Sequence, residues 1–314
     1  MSEAAHWWVL AERGSRFASR AMAFCYRRLG RRVNRILLYP VVAYFFVRER
    51  ASRRASRRWL EQVARFAEGR ARLGGRPGPL APFRHHHEFA VQLLDRMVLW
   101  GGGLDQFQME HRGGEHLFAL ARERRGGLLL GAHLGSFDMA RQLAGAHGLA
   151  LNAVMFTAHA ERINAFFERL DPSSRVRVLQ LDPTSVRTAF EVQACLARGE
   201  LVAILADRVP AGGRGRPVHV DFLGRRAAFP RSPFLLAGLL GCPVFLSLCV
   251  RTGPARYETW VEPITFGQRL PRPEREKGAE ELARAWVRRL EAAALRFPYQ
   301  WFNFYDLWEP EDAA

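Results

Sequence analysis

The segment from His133 to Asp138, with the sequence HLGSFD, combines residue types that can move a proton. An imidazole takes up protons near neutral pH, which suits His133 to the role of a general base. A carboxylate five positions later, across a turn, can return to the ring, fix its tautomer and stabilise the imidazolium. Any His and Asp at this spacing match the pattern, so the pair also fits a structural histidine. The segment therefore gives a candidate catalytic pair, His133 and Asp138, whose chemistry depends on where the fold holds it.

The residues around this pair predict a turn between a buried strand and a helix. The run GGLLLGAH (126–133) is short, apolar and bounded by glycine, as expected of a strand in a parallel sheet. SFDMARQLAGAHG predicts a helix that Ser136 caps and Gly148 ends. Active sites of open α/β sheets gather at the carboxyl ends of strands. Gly135 would allow close approach of a substrate, and backbone N–H groups of 134–136 or of 212–215 would stabilise an oxyanion. LGSFD lacks the second glycine of the G-x-S-x-G elbow, which argues against a serine hydrolase.

The rest of the chain alternates strand and helix patterns. Apolar runs at 151–156, 176–181, 200–207 and 242–250 predict strands, and amphipathic segments between them predict helices. A chain of 314 residues with 48% hydrophobic residues can bury a large core. The sequence thus predicts an α/β fold with a mixed, mainly parallel sheet that is flanked by helices.

The N-terminal region differs in character and predicts a helical, membrane-associating segment. Residues 1–60 contain fourteen Arg and three Glu, an excess of 11 positive charges in a chain of net charge +16. Within it, ILLYPVVAYFFV (36–47) is apolar and aromatic but too short to span a bilayer. It fits an interfacial anchor between arginine clusters or a buried core helix with basic ends. The Gly/Pro stretch 74–82 predicts a boundary between an N-terminal basic region (1–75) and an α/β domain (83–314).

Charge and composition also limit the partners. A basic surface fits an anionic membrane, an acidic carrier protein or nucleic acid, yet no recognised nucleic-acid-binding module is present. The four cysteines lack zinc-type spacing and predict core thiols. The consecutive His85, His86 and His87 are more typical of an exposed helix start than of a metal site. We therefore expect no metal, no nucleic acid and no secretion signal.

Several segments, in order, resemble one family. LLLGAHLGSFDMAR resembles the H-x4-D block of the glycerolipid and lysophospholipid acyltransferase superfamily, particularly the late acyltransferases of lipid A synthesis. The N-terminal region of that branch is resembled by three segments, WWVLAERGS, YPVVAYFFV and RRASRRWL. Its third block is resembled by ELVAILADRVP together with VDFLGRRAAFPRSPFLLA, and its fourth block by CPVFLSLCV. The ending FPYQWFNFYDLW is similar to relatives linked to aryl-polyene or pigment-lipid pathways.

The resemblance implies roles for individual residues. His133 would deprotonate the acceptor, and Asp138 would orient it. Asp207 would line a substrate pocket with Arg208 beside it as a phosphate or carboxylate ligand. Arg162 would contact the acceptor, and Gly135 and Ser136 would lie at the substrate.

The resemblance also predicts the reaction. A fatty-acyl or polyene-acyl group would pass from acyl carrier protein or CoA to a hydroxyl or amine of a lipid acceptor, with no cofactor beyond the thioester. The protein would work at the cytoplasmic face of the bacterial inner membrane as a peripheral or monotopic enzyme. A catalytically inactive membrane scaffold of the same fold and a basic nucleic-acid-binding protein are the alternatives.

Overall fold

The computed structural model describes residues 33–100, 102–155, 176–180, 186–209 and 216–308. The described residues from 33 to 100 are mainly helical, and strands alternate with helices after them, as the patterns predicted. The helix at 33–48 is α1. The following helices are α2 (Arg50–Val63), α3 (Ala67–Leu73), α4 (Ala81–Trp100), α5 (Gly114–Arg122), α6 (Phe137–Ala146), α7 (Val186–Ala197), α8 (Ser232–Leu240) and α9 (Arg275–Arg296).

The strands form one large mixed sheet and one hairpin. Their bounds are β1 (Gln108–Arg112), β2 (Gly127–Gly131), β3 (Leu151–Met155), β4 (Val176–Gln180), β5 (Leu201–Leu205), β6 (Val218–Phe222), β7 (Arg225–Phe229), β8 (Val244–Gly253) and β9 (Arg256–Thr265). The large sheet has the order β1-β9-β8-β2-β5-β3-β4, and β6 pairs with β7 separately. Of the pairs that the structure describes in the large sheet, only β8–β9 is antiparallel, so five adjacent strands, from β8 to β4, run in one direction. The predicted α/β class with a mainly parallel sheet is confirmed.

The centre of the sheet is fully buried, which explains the uninterrupted apolar run of β2. Every residue of β2 is buried, and the indole Nε1 of Trp286 on α9 donates to the Leu130 carbonyl oxygen at 3.0 Å. Helices on both sides of the Gly/Pro stretch share the core of the sheet: Trp59 of α2 stacks on Trp301 with ring centroids 5.0 Å apart. The strand that leads to His133 is therefore held from several directions.

Helix α1 combines a packed face and an exposed apolar face. Leu38 and Val42 are buried against Val91 and Leu94 of α4. Large apolar side chains elsewhere on the helix are exposed: Val33, Ile36, Leu37, Tyr39, Val41, Tyr44, Phe45 and Val47. The helix is thus packed on one side and apolar on its open side. In the part of the chain that the structure describes, no helix has the length and hydropathy to cross a membrane.

Candidate active site

His133 and Asp207 meet because their strands are neighbours in parallel register. Strands β2 and β5 pair with Gly131 opposite Leu205, and the Ala206 N–H donates to the Gly131 carbonyl oxygen at 2.9 Å. His133 and Asp207 each follow their strand by two residues. The same register therefore brings the imidazole and the carboxylate side by side at the carboxyl edge of the sheet, where α/β proteins gather their functional groups.

The Asp207 carboxylate is buried and accepts hydrogen bonds from three donors. His133 Nδ1 lies 2.9 Å from Oδ1, and the backbone N–H of His133 donates to Oδ2 at 2.9 Å. The side-chain amide of Asn303 donates to Oδ2 at 2.7 Å. Burial raises the pKa of the Asp207 carboxyl, but His133 and Arg208 outweigh burial and hold that pKa below its ordinary value of 3.8.

This arrangement selects the tautomer of His133. An ionised carboxylate can only accept, so Nδ1 carries a proton, and in the neutral ring Nε2 is then the nitrogen with the lone pair. The His133 side chain is 23% exposed while Asp207 is fully enclosed. Among the described residues, none donates to or accepts from Nε2. The ring therefore has the orientation and access that a general base needs.

Asp138 does not occupy the place predicted for it beside the imidazole. Its carboxylate lies 3.5 Å from Arg96 Nη1 of α4 and 3.6 Å from Arg141 Nη2 on its own helix. Asp138 stands in the first turn of α6, and its side chain joins α6 to α4. The predicted His133–Asp138 contact is therefore corrected: Asp207 is the carboxylate that touches the ring, and Asp138 pairs with two guanidinium groups.

Gly135 and Ser136 shape the turn that follows His133, residues 133–136, which we call the His133 turn. Gly135 has φ of +77°, and a Cβ on it would lie 2.1 Å from the Cys249 carbonyl oxygen, so only glycine fits. The predicted cap is confirmed, because the Met139 N–H donates to Ser136 Oγ at 3.2 Å. The N–H groups of Gly135 and Ser136 donate to the carbonyl oxygens of Gln300 and Cys249. These two N–H groups are therefore committed within the fold, and the prediction of oxyanion donors there is wrong for them; residues 212–215 lie outside the described part.

The C-terminal segment, residues 301–308, lies directly on the His133 turn. The Phe302 N–H donates to the His133 carbonyl oxygen at 2.7 Å, and Trp301 forms a bridge with Leu134. Just before the segment, Gln300 Nε2 donates to the Arg251 carbonyl oxygen at 2.6 Å, which ties this stretch to β8. Sequence reasoning assigned no role to Asn303. Its only signal was a single amide within an otherwise aromatic run.

Arg208 reinforces the same contacts. Its Nε donates to Asn303 Oδ1 at 2.6 Å, and its Nη2 donates to the Phe302 carbonyl oxygen at 3.0 Å. The structure thus brings Arg208, Asp207 and His133 together, with Asn303 between the guanidinium and the carboxylate. The predicted substrate contact at Arg162 lies outside the described residues.

The histidine run at the start of α4 is partly buried. The interpretation of an exposed helix start is wrong for His85, which is completely buried. Its Nε2–H donates to the Trp301 carbonyl oxygen at 2.7 Å, and Ser56 Oγ lies 2.9 Å from Nδ1. Burial, with His86 nearby, lowers the pKa of His85 to about 3, so this ring stays neutral and acts as a structural link. No cluster of metal-ligating side chains occurs within the described ranges.

A known protein family matches the larger part of this chain. The sequence model of a family described as bacterial lipid A biosynthesis acyltransferase matches residues 99–309. That range begins near the end of α4 and includes the sheet, the His133 turn and the C-terminal segment. A search of curated proteins found no match.

Proposed function

Since the chain belongs to the bacterial lipid A biosynthesis acyltransferase family and is therefore a lipid acyltransferase, we propose that His133 is the general base of its reaction. In this proposal the enzyme transfers a fatty-acyl or polyene-acyl group from acyl carrier protein or CoA to a hydroxyl or amine of a lipid. The observation that carries the proposal is the partly exposed His133 ring, held through Nδ1 by the buried Asp207 carboxylate at 2.9 Å.

The reaction needs one proton transfer in each direction. His133 Nε2 takes the proton of the acceptor hydroxyl or amine as the oxygen or nitrogen attacks the thioester carbonyl carbon. The tetrahedral intermediate then collapses, the C–S bond breaks, and the departing sulfur receives the proton from the imidazolium. The products are an acylated lipid and a thiol, and no covalent acyl-enzyme forms. Asp207 stabilises the transient imidazolium without taking its proton.

Asp138 contributes to the proposed site through position rather than through contact with the ring. Its ion pair with Arg96 ties the start of α6 to α4, and its second ion pair is with Arg141 of α6 itself. The start of α6 follows the His133 turn directly, so this anchor keeps the turn in place. Gly135 and Ser136 serve the same end through their contacts with Cys249 and Met139.

The exposed apolar face of α1 supports the proposed work at a membrane surface. Aromatic and aliphatic side chains exposed along one helix suit the headgroup boundary of a bilayer. Exposed arginines at and after the end of this helix, Arg48, Arg50 and Arg54, would meet anionic lipid phosphates. We propose peripheral or monotopic binding at the cytoplasmic face of the inner membrane, where an acidic carrier protein or CoA can deliver the thioester.

Comparative lipid analysis tests the function and identifies the acceptor in the same experiment. Lipids extracted from cells with the gene, without it, and with His133→Ala in its place are compared by mass spectrometry. We expect one acylated lipid series to disappear on deletion and to return with the wild-type gene but not with His133→Ala. Return of that series with a stably expressed His133→Ala protein would contradict the role of the base, and an unchanged lipid profile on deletion would contradict the function.

A further inference from the structure

Asn303 stands where it can control the carboxylate that orients the proposed base. Its side chain is buried, with 2% of the residue exposed. Nδ2 donates to Asp207 Oδ2 at 2.7 Å, while Oδ1 accepts from Arg208 Nε at 2.6 Å. The Arg208 contact fixes which end of the amide is the oxygen, because a guanidinium can only donate. The NH2 group must therefore face Asp207.

We propose that Asn303 is a positioning residue of the acyl transfer, in which its amide fixes the Asp207 carboxylate so that the carboxylate holds His133 with Nε2 unprotonated. This inference rests on the proposed function of His133. Asn303 lies 96 residues from Asp207 in sequence, so the site is complete only when the C-terminal segment is in place.

The geometry gives the amide a task of its own. His133 Nδ1 lies nearer to Oδ1 of Asp207, at 2.9 Å, than to Oδ2, at 3.1 Å, and Oδ2 also receives the His133 backbone N–H and the Asn303 amide. The backbone bond alone leaves the carboxylate able to turn about its Cβ–Cγ bond. Asn303 provides the second bond to Oδ2, and that bond keeps Oδ1 directed at the ring. Hydrogen bonds to a carboxylate also favour its ionised form, in agreement with the lowered pKa of Asp207.

Asn152 is a matched control elsewhere in the fold. It is buried to a similar degree, with 3% exposed, and its Nδ2 donates to the Glu200 carboxylate at 2.7 Å. Asn152 belongs to β3 and makes this bond at the opposite end of the strands from His133. Substitution of Asn152 thus removes an equivalent amide–carboxylate bond without touching the proposed site.

The test compares Asn303→Ala, Asn303→Asp and Asn152→Ala with the wild type. Each purified protein receives acyl carrier protein or CoA charged with a long-chain acyl group, and a lipid extract of the deletion strain as acceptor. Circular dichroism establishes that each variant is folded at the assay temperature. Rates are measured across pH by release of the thiol, so that kcat, KM and the acidic limb of the pH–rate profile are obtained.

We expect Asn303→Ala to lower kcat about 10- to 100-fold with little change in KM, as loss of a hydrogen bond to a charged group would. The acidic limb should move to higher pH, since a less stabilised Asp207 anion holds the imidazolium more strongly. Asn303→Asp, nearly isosteric, should move the limb further because it adds a second negative charge. Asn152→Ala should leave kcat and the limb within about twofold of the wild type, as expected for a site far from the chemistry.

Two results would overturn the inference. In the first, folded Asn303 variants keep the wild-type kcat and pH profile. In the second, Asn303→Ala and Asn152→Ala lose activity alike with no movement of the acidic limb, which would assign Asn303 a purely structural role. The His133→Ala variant separates this inference from the proposed function. If His133→Ala is active, His133 is not the base and the proposed function of this residue is refuted. If His133→Ala is inactive while the Asn303 variants keep wild-type activity, only the positioning role of Asn303 is refuted.

Discussion

Replacement of Asp207 by Asn should disable the enzyme by reversing the tautomer of His133. The carboxamide has one accepting oxygen, while Asp207 accepts from His133 Nδ1, the His133 N–H and Asn303. With the amide oxygen at Oδ2, the bonds from the His133 N–H and from Asn303 survive, and the NH2 group takes the place of Oδ1, the oxygen nearer to Nδ1. The NH2 group then favours a ring that accepts at Nδ1 and carries its proton on Nε2. With the amide reversed, the His133 N–H and the Asn303 NH2 group would both face the NH2 group of the new side chain, which cannot accept from them. The first orientation is therefore favoured, and Nε2 of His133 can no longer take up a proton.

The size of this effect follows from comparable chemistry. An Asp→Asn change that imposes the wrong histidine tautomer in a Ser-His-Asp triad lowers kcat by about 10⁴-fold. Burial and the 2.9 Å contact of Asp207 predict a loss of about 10³- to 10⁴-fold here, or roughly 4 to 5.5 kcal/mol of transition-state stabilisation. Single-turnover transfer from long-chain acyl-CoA or acyl carrier protein to a lipid extract of the deletion strain measures it.

Asp138→Asn is the control, because it makes the same isosteric change at a carboxylate that does not touch the ring. An amide at this position can still accept from one of the two arginines, 3.5 Å and 3.6 Å away, so the turn should largely keep its place. We expect a lower melting temperature and a loss of activity of about tenfold or less. The reasoning is refuted if Asp207→Asn stays within tenfold of the wild type, or if a folded Asp138→Asn falls as far as Asp207→Asn.

Three further predictions concern the supports of the site. Gly135→Ala should cost about 1–3 kcal/mol and abolish activity, whereas Gly148→Ala, also at positive φ but with open space around its Cβ, should cost about 1 kcal/mol in thermal unfolding. Ile36→Ser with Val47→Ser should weaken flotation with anionic vesicles at unchanged melting temperature, because both side chains are exposed. Because the pKa of Asp207 is lowered in the folded protein, ionised Asp207 stabilises the fold at pH values above 3.8, its ordinary pKa. This stabilisation is lost as the pH falls through the pKa of Asp207 in the folded state. The stability of Asp207→Asn towards acid should therefore depend less on pH.

The sequence predicted the strand that leads to the base but not the base's partner. Strand β2 could be predicted because it is buried on both faces and bounded by glycine, and the turn after it could be predicted from Ser136. The partner of His133 lies 74 residues away, and only the register of β2 against β5 brings it there. A local pattern favours Asp138 because it is near in sequence, whereas parallel pairing favours residues at matching distances from strand ends.

Other features of the structure were not predicted from the sequence because they too depend on residues that are distant along the chain. The hairpin β6–β7 and strand β9 have polar residues among the apolar ones, and their pairing partners decide their structure. Three consecutive histidines predicted an exposed helix start, yet both ring nitrogens of His85 have hydrogen-bond partners, one of them 216 residues away. Burial of a polar side chain is tolerated when its hydrogen bonds are satisfied, and no local sequence pattern reveals a partner so distant.

Mass spectrometry of the intact protein during a single turnover tests the central claim most directly. Wild-type and His133→Ala proteins are mixed with an isotope-labelled long-chain acyl thioester and the deletion-strain lipids, and both protein and lipid are analysed. We predict that label passes from the thioester to a lipid with the wild type, that the protein mass never increases, and that His133→Ala transfers no label. A transient acyl-protein, or label transferred by His133→Ala at the wild-type rate, would contradict the account.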